Sequence, residues 1–233
     1  EALEMADRHV FYKNGVKEIA FLQGKAVSFM AKWRQDLAGN SCHIHGSLWG
    51  LEDDRPAFSN GHEETPLFRQ FLAGLLACAG EMTCFLAPYV NSYKRFQAAS
   101  FAPTNTVWSR DNRTAGFRVL GHGPATRIEC RVAGADVNPY LAFAAFLAAG
   151  LHGVEGELVP PPEFRGDAYK SGEVPSVPRT LREAVERLDR SEVLRRAMGE
   201  EVIDHYVHAG RWEQSAYDRA VTDWELMRYF ERA

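Results

Sequence analysis

Arg127-Ile128-Glu129-Cys130-Arg131 sets charged and apolar side chains in strict alternation. Successive side chains of a strand point to opposite faces, so an extended conformation puts Arg127, Glu129 and Arg131 on one face. A carboxylate between two guanidiniums is either a structural ion-pair ladder or a metal ligand flanked by anion clamps. Cys42-His43-Ile44-His45-Gly46-Ser47-Leu48-Trp49 has the same period. As a strand it directs His43, His45 and the Ser47 hydroxyl to one side. Two readings stay open for it: a metal or phosphate site, or ordinary surface histidines.

Six arginines (Arg95, Arg110, Arg113, Arg118, Arg127 and Arg131) fall in a span where only Asp111 and Glu129 offset them, although the chain's net charge is -4. Guanidinium suits bidentate contact with phosphate or carboxylate; the alternative is a solvated face of weak ion pairs. One histidine and one glutamate are too few for a closed zinc site. They suffice for part of a magnesium or manganese site, which takes oxygen ligands and shares the rest with substrate phosphates.

The 233 residues, 45% of them hydrophobic, fit one large domain or two small ones. The mild acidity carries no global nucleic-acid footprint. No apolar run reaches the ~18 residues of a membrane span, and no secretory signal opens the chain. Cys42, Cys78, Cys84 and Cys130 form no C-x-x-C pair, which predicts reduced, buried thiols and a cytoplasmic protein. The opening Glu1-Ala2-Leu3-Glu4 reads as mid-helix, so the chain is expected to be part of a longer protein.

An amphipathic helix is expected over residues 1–24, stopped by Gly24, followed by strands at 26–30 and 42–49 and a polar loop at 52–64. Pro66 opens a long buried helix to about Leu86. Three strands, 107–109, 116–120 and 127–131, precede a helix from Asn138-Pro139 through Leu151. After a loop from Pro160 to Pro178, Thr180-Leu181-Arg182-Glu183 carries a capping-box pattern, and helices rich in charge and aromatics follow to the end. Strands in the middle with helices grouped around them predict an α+β fold.

His43-Ile44-His45-x-Ser47-Leu48-Trp49, Asn91-Ser92-Tyr93-Lys94-Arg95, Asp111-Asn112-Arg113-Thr114, Arg127-Ile128-Glu129-x-Arg131 and Asp136-x-Asn138-Pro139-Tyr140 occur in this order. Together, and with Gly24-Lys25 through Lys32, they resemble the C-terminal catalytic half of a bacterial-type glutamine synthetase. The resemblance runs over all of residues 1–233. It implies an antiparallel sheet with surrounding helices, and places the small N-terminal domain and the first part of the catalytic domain outside this chain. It also implies amide formation on the glutamate γ-carboxylate: ATP phosphorylates the carboxylate, and an amine displaces the phosphate.

By the same resemblance, His43 and Glu129 ligate the magnesium or manganese ion that bridges the ATP phosphates. His45 and Ser47 contact the nucleotide, and Arg118 and Arg127 hold its phosphates. Arg113 stabilises charge on the transferring phosphoryl group. Arg95 acts with it and, with Arg131 and the Gly39 backbone, holds glutamate. The full-length protein is expected to form a homo-oligomeric ring, a dodecamer, and this portion alone to be inactive. No nucleic-acid or membrane partner is implied.

Two positions depart from the family pattern, and at one of them, Ala38, many members carry a polar residue. A glutamate that closes over the site and helps deprotonate ammonium is replaced by Phe101. An aromatic ring accepts no proton, so a larger organic amine is expected in place of ammonia. The pattern resembles the γ-glutamyl-amine ligase branch, which uses polyamines or ethanolamine. Alternatively, Phe101 merely packs the loop and the protein is a true glutamine synthetase. Two further classes were weighed: a metal-dependent hydrolase built on H-x-H, for which the chain lacks βα repeats and further ligands, and a non-catalytic synthetase-like scaffold. His9, His205 and His208 read as surface or interface residues, and His122 as undecided. Tyr169 lacks the signature of a nucleotidylated tyrosine.

Overall fold

Four short strands form one sheet in a computed structural model that describes residues 1–97, 100–172 and 174–232. They are β1 (Ile44–Gly46), β2 (Trp108–Arg110), β3 (Phe117–Leu120) and β4 (Arg127–Cys130), in the order β1-β4-β3-β2. β4 runs antiparallel to both β1 and β3. The α+β class is as expected, but the sheet is mixed rather than antiparallel, because β2 pairs parallel to β3. The Asn105 side chain explains this: its Nδ2 donates to Thr114 O, and its Oδ1 accepts from Gly116 N. The chain is thereby returned to the start of β2 before β3 begins. Phe164 N donates to Trp108 O and Arg110 N to Glu163 Oε1, so the segment after Pro160 covers the β2 edge that would otherwise stand unpaired.

Two strand expectations need correction. Residues 26–30 form no strand; Phe29 instead packs edge-on against Tyr12 of the first helix at 6.1 Å, and Val27 and Met30 are exposed. The strand expected over Cys42–Trp49 narrows to three residues, with single bridges Ser41↔Gly134 and Trp49↔Pro56 on either side.

One face of the sheet is apolar. Ile44, Phe117, Val119, Ile128 and Cys130 are all buried there, and they join a core shared with the central helices. These are α2 (Pro66–Ala77), α3 (Ala79–Leu86) and α5 (Pro139–Glu155). Thr65 caps α2 by accepting from Phe68 N, with Pro66 at the first helical position, as the sequence predicts. The expected single helix to Leu86 breaks at Cys78, where ψ rises to 5°. Asn138 caps α5 through Tyr140 N.

α2 crosses α5 at glycines. A Cβ on Gly74 would lie 2.1 Å from Ala149 O, and one on Gly153 would lie 2.1 Å from Gln70 O. The close crossing brings the Phe71 and Phe146 rings to 5.8 Å. Phe146 in turn lies directly beneath Gly46 of β1, where any Cβ would meet the ring at 2.5 Å.

On the far side, α6 (Leu181–Asp189) packs on α3, α7 (Glu192–Met198) on α5 and α8 (Glu200–Arg219) on α6, and Leu181, Leu188, Leu194 and Ile203 are buried there. Thr180 caps α6, but the Glu183 carboxylate accepts from Arg179 N rather than closing the box on Thr180. The short α4 (Val90–Tyr93) and the terminal α9 (Asp223–Tyr229) complete the helices described.

α1 (Ala2–Leu22) is helical as expected, with Gly24 at φ 65° just beyond it. It is not amphipathic towards this core, however. Only Ala6 and Ala20 are buried, while Leu3, Phe11, Ile19, Phe21 and Leu22 are largely exposed. Those residues lie on the side of the helix turned away from Ala6 and Ala20. Polar contacts hold it instead: Lys13 Nζ donates to Ala135 O at 3.0 Å, and Tyr140 OH to Asp7. Among the described residues no helix is long and apolar enough to cross a membrane.

The glycine crossing sets the position of the sheet. Gly74→Ala gains up to ~1 kcal/mol of helix propensity, but drives a methyl group into a backbone carbonyl. Overpacking of this kind costs about 1–3 kcal/mol and outweighs the gain. The variant is expected to unfold at lower urea concentration; an unchanged midpoint would refute the crossing as described.

Candidate active site

The polar face of the sheet gathers around one carboxylate. In the strand register His45 of β1 and Arg118 of β3 lie directly across from Glu129 of β4. Glu129 is 3% exposed. His43 Nδ1 lies 2.9 Å from its Oε1, Arg131 Nη1 donates to the same oxygen at 2.9 Å, and Arg118 Nη1 to Oε2 at 3.3 Å. His45 Nε2 stands at 3.7 Å. Burial pushes the Glu129 carboxyl up, but the His43 hydrogen bond and the charges of Arg131, His43 and His45 hold it at about 2. It is therefore an anion wherever the protein is folded near neutral pH.

The expected cluster is thus assembled from three strands. Arg127 joins it laterally, its Nε donating to His45 Nδ1 at 3.3 Å. Burial, with Arg127 and His43 beside it, holds His45 below the ordinary imidazole value, while Glu129 pulls the other way. Ser47 lies beyond the end of β1, exposed, its Oγ accepting from Trp49 Nε1. Arg118 reaches outwards as well, to Asp111, whose backbone is left-handed at φ 46°. In sequence Asp111 stands as an offset to the arginines and as the first residue of the Asp111–Thr114 motif. Its link to Arg118 depends on the tight β2–β3 connection, which the sequence did not reveal.

Arg95 and Gly39 form a second group. Arg95 is 2% exposed and donates to Val132 O, just past β4. Gly39 lies on its stem, since a Cβ there would meet Arg95 Cγ at 2.6 Å. The loop carrying Gly39 is tied to the Asn91–Arg95 segment through Lys32. Its N donates to Asn91 Oδ1 at 3.0 Å, and its O accepts from Asn91 Nδ2 at 2.9 Å. Two motifs far apart in the sequence thus meet at one point.

Arg113 is exposed and makes no contact with Glu129 among the described interactions. It lines an open cleft of about 580 Å³ with Asp111, Thr114, Arg118 and Asp167. Phe101 is 80% exposed at φ 59°, so within the described residues it does not pack the loop. Ser100 beside it donates to Arg95 O at 2.8 Å. Arg110 pairs with Glu64 away from the cluster, and His122 lines a separate cleft with His62 and Arg69. His205 and His208 are exposed; the cysteines are free, and all but Cys42 are buried.

The Nε atoms of Arg95, Arg118 and Arg131 are buried without an acceptor among the described residues. Unmade hydrogen bonds of buried guanidiniums are costly, and guanidinium donors of this kind suit an anionic ligand. The donor set also fits part of a metal site. A magnesium-sized ion takes oxygen ligands at about 2.0–2.1 Å in octahedral geometry, which separates cis ligands by about 3 Å. His43 Nδ1 and Glu129 Oε1, 2.9 Å apart, match one such edge. Among the described residues no three histidine, cysteine or acidic groups form a complete site, so these two would supply only a share of the ligands.

Residues 1–229 match the family described as "Glutamine synthetase, catalytic domain". The gamma-glutamylethanolamide synthetase of Streptomyces coelicolor is 50% identical over 232 residues, covering 100% of this chain and 50% of that protein. The type-1 glutamine synthetase 2 of Dictyostelium discoideum is 44% identical, over 99% of this chain and 46% of its own length. A solved GmaS/ADP complex superposes with a TM-score of 0.91 at 33% identity, over 99% of this chain and 55% of that one. The chain thus spans about half the length of the curated relatives it matches.

Removing Glu129 leaves two arginines facing each other without their anion. Glu129→Ala is therefore expected to destabilise the protein by about 3–5 kcal/mol, read as a lowered melting temperature. Glu129→Gln, which keeps the shape, should cost less. A Glu129→Ala variant as stable as the parent would show that the arginines do not depend on this carboxylate.

Proposed function

Because this chain belongs to the glutamine synthetase catalytic-domain family, we propose that the protein containing it is an ATP-dependent ligase. It joins an amine to the γ-carboxylate of glutamate through a γ-glutamyl phosphate. The observation that carries this reading is Glu129, buried at the centre of the sheet between His43 and the guanidiniums of Arg118 and Arg131. His43 and Glu129 would hold a magnesium or manganese ion, which supplies positive charge against the phosphates of ATP. His45 and Ser47 contact the nucleotide, Arg118 and Arg127 bind its phosphates, and Arg113, free in its open cleft, steadies the phosphoryl group in transfer. Arg95, Arg131 and the Gly39 backbone hold glutamate, guanidinium being suited to its carboxylates.

The amine in this reading is organic, a polyamine or ethanolamine. Phe101 supports it: an exposed aromatic in a left-handed backbone, on the loop tied to Arg95, offers apolar surface where a base would serve ammonia. The Streptomyces relative, named for an ethanolamide product, supports it too. Ammonia is the second reading, favoured by the relative named a glutamine synthetase. A non-catalytic scaffold is disfavoured by the assembled cluster. The full-length protein is proposed to act in the cytoplasm as a homo-oligomeric ring, a dodecamer, with this portion inactive alone.

The test is coupled ADP release by the full-length protein with glutamate and, in turn, ammonium, ethanolamine, putrescine or spermidine. One organic amine is expected to exceed ammonium by about tenfold or more, the scale on which an apolar pocket discriminates. Phe101→Glu should shift the preference towards ammonium. Turnover with ammonium alone would refute the organic-amine reading.

A further inference from the structure

Asp136 lies in the connection from β4 to α5, outside every role assigned above. Its Oδ2 accepts a hydrogen bond from Ser92 Oγ at 2.6 Å. That same Ser92 Oγ accepts from Tyr89 N at 3.0 Å, closing the first turn of α4. Three residues after Ser92 comes Arg95. Asp136 Oδ1 is buried and has no hydrogen-bond partner among the described residues, and a Cβ on Gly134 would press to 2.4 Å from it. The backbone on both sides is held as well, because Lys13 Nζ of α1 reaches Ala135 O and Val137 O.

A half-satisfied carboxylate costs free energy unless a charge compensates it. The charges facing Asp136 are Arg95 and Lys13, from two different elements. The benefit is mutual: burial pulls the Arg95 guanidinium down to about 10, and Asp136 is foremost among the groups that offset this. Arg95 has few alternatives. Its Nη2 bonds a neutral carbonyl, its Nε bonds nothing, and it pairs with no carboxylate within salt-bridge distance among the described residues.

We propose that Asp136 is a positioning residue for the glutamate subsite: it locks the Ser92 turn that presents Arg95, and supplies the counter-charge that keeps this buried guanidinium aimed at substrate. The role rests on the reading of Arg95 as a glutamate contact. It divides the site into two electrostatic halves. Glu129 serves the nucleotide half, through His43 and Arg118. Asp136 serves the glutamate half through Arg95, and Arg131 stands between the two.

The experiment uses the full-length protein with Asp136→Asn, which keeps shape and acceptor but removes charge, and Ser92→Ala, which removes the hydroxyl and keeps the charge. KM for glutamate and for ATP is measured for each, together with the rise in melting temperature on adding glutamate or ADP. Asp136→Asn is expected to raise the glutamate KM about tenfold, the scale of a charged hydrogen bond, and to raise by the same factor the glutamate concentration needed for a given rise in melting temperature. ATP KM and stabilisation by ADP should stay within about twofold. Ser92→Ala should show the same split at about threefold, and decides the matter if Asp136→Asn does not fold. Equal changes in both KM values, or none, overturn the positioning role and leave Asp136 a general stabiliser. A parent protein that glutamate neither stabilises nor feeds refutes the functional reading itself, and the positioning role falls with it.

Discussion

A carboxylate buried in the middle of a sheet demands cations, and Glu129 dictates much of this structure through that demand. Its place on β4, the strand paired on both sides, leaves it almost no water. The strand register answers by bringing His45 from one neighbour and Arg118 from the other. His43 and Arg131 close the remaining directions, one step along. The Arg131 guanidinium could not be buried so deeply without the anion, and the anion could not persist without the guanidiniums beside it. Charges that hold one another in this way form a pre-organised electrostatic cluster, the kind of arrangement that the proposed phosphoryl transfer would use.

The apolar face of the same strands keeps the cluster in place. Ile128 and Cys130 alternate with Glu129 and lie in the core. The core fixes them through α5, whose Phe146 fills the space left by Gly46, and through the α2–α5 crossing, where Gly74 and Gly153 replace side chains with backbone contact. The surroundings of Arg95 depend on loops instead. Lys32 bonds Asn91 and Asp136 bonds Ser92, so three separate segments fix the turn that leads into Arg95.

Much of this was legible in sequence where a period or a cap encodes it. The alternation in Arg127–Arg131 placed the charged residues on one face, and Pro66, Asn138 and Thr180 marked helix starts correctly. The spaced motifs disclosed the family because each is a contact made across the fold. What escaped depends on partners that local pattern does not carry. Residues 26–30 have strand-like composition but no strand to pair with. The parallel β2–β3 pair is enforced by Asn105, a residue unremarkable in its own surroundings. The apolar residues of α1 matched a helix but predicted burial that this chain's core does not give them. Asp136 was visible only as a letter in a motif; its meaning comes from the spatial approach of Ser92 and Arg95.

The central claim is that Glu129 and His43 together form part of a divalent-metal site. The direct measurement is titration of the full-length protein with Mn²⁺, followed by electron paramagnetic resonance, for the parent, Glu129→Gln and His43→Ala. Each substitution is predicted to weaken Mn²⁺ binding by more than about tenfold, or about 1.4 kcal/mol, with the folded state retained. Binding of Mn²⁺ by Glu129→Gln as tight as by the parent would contradict the account.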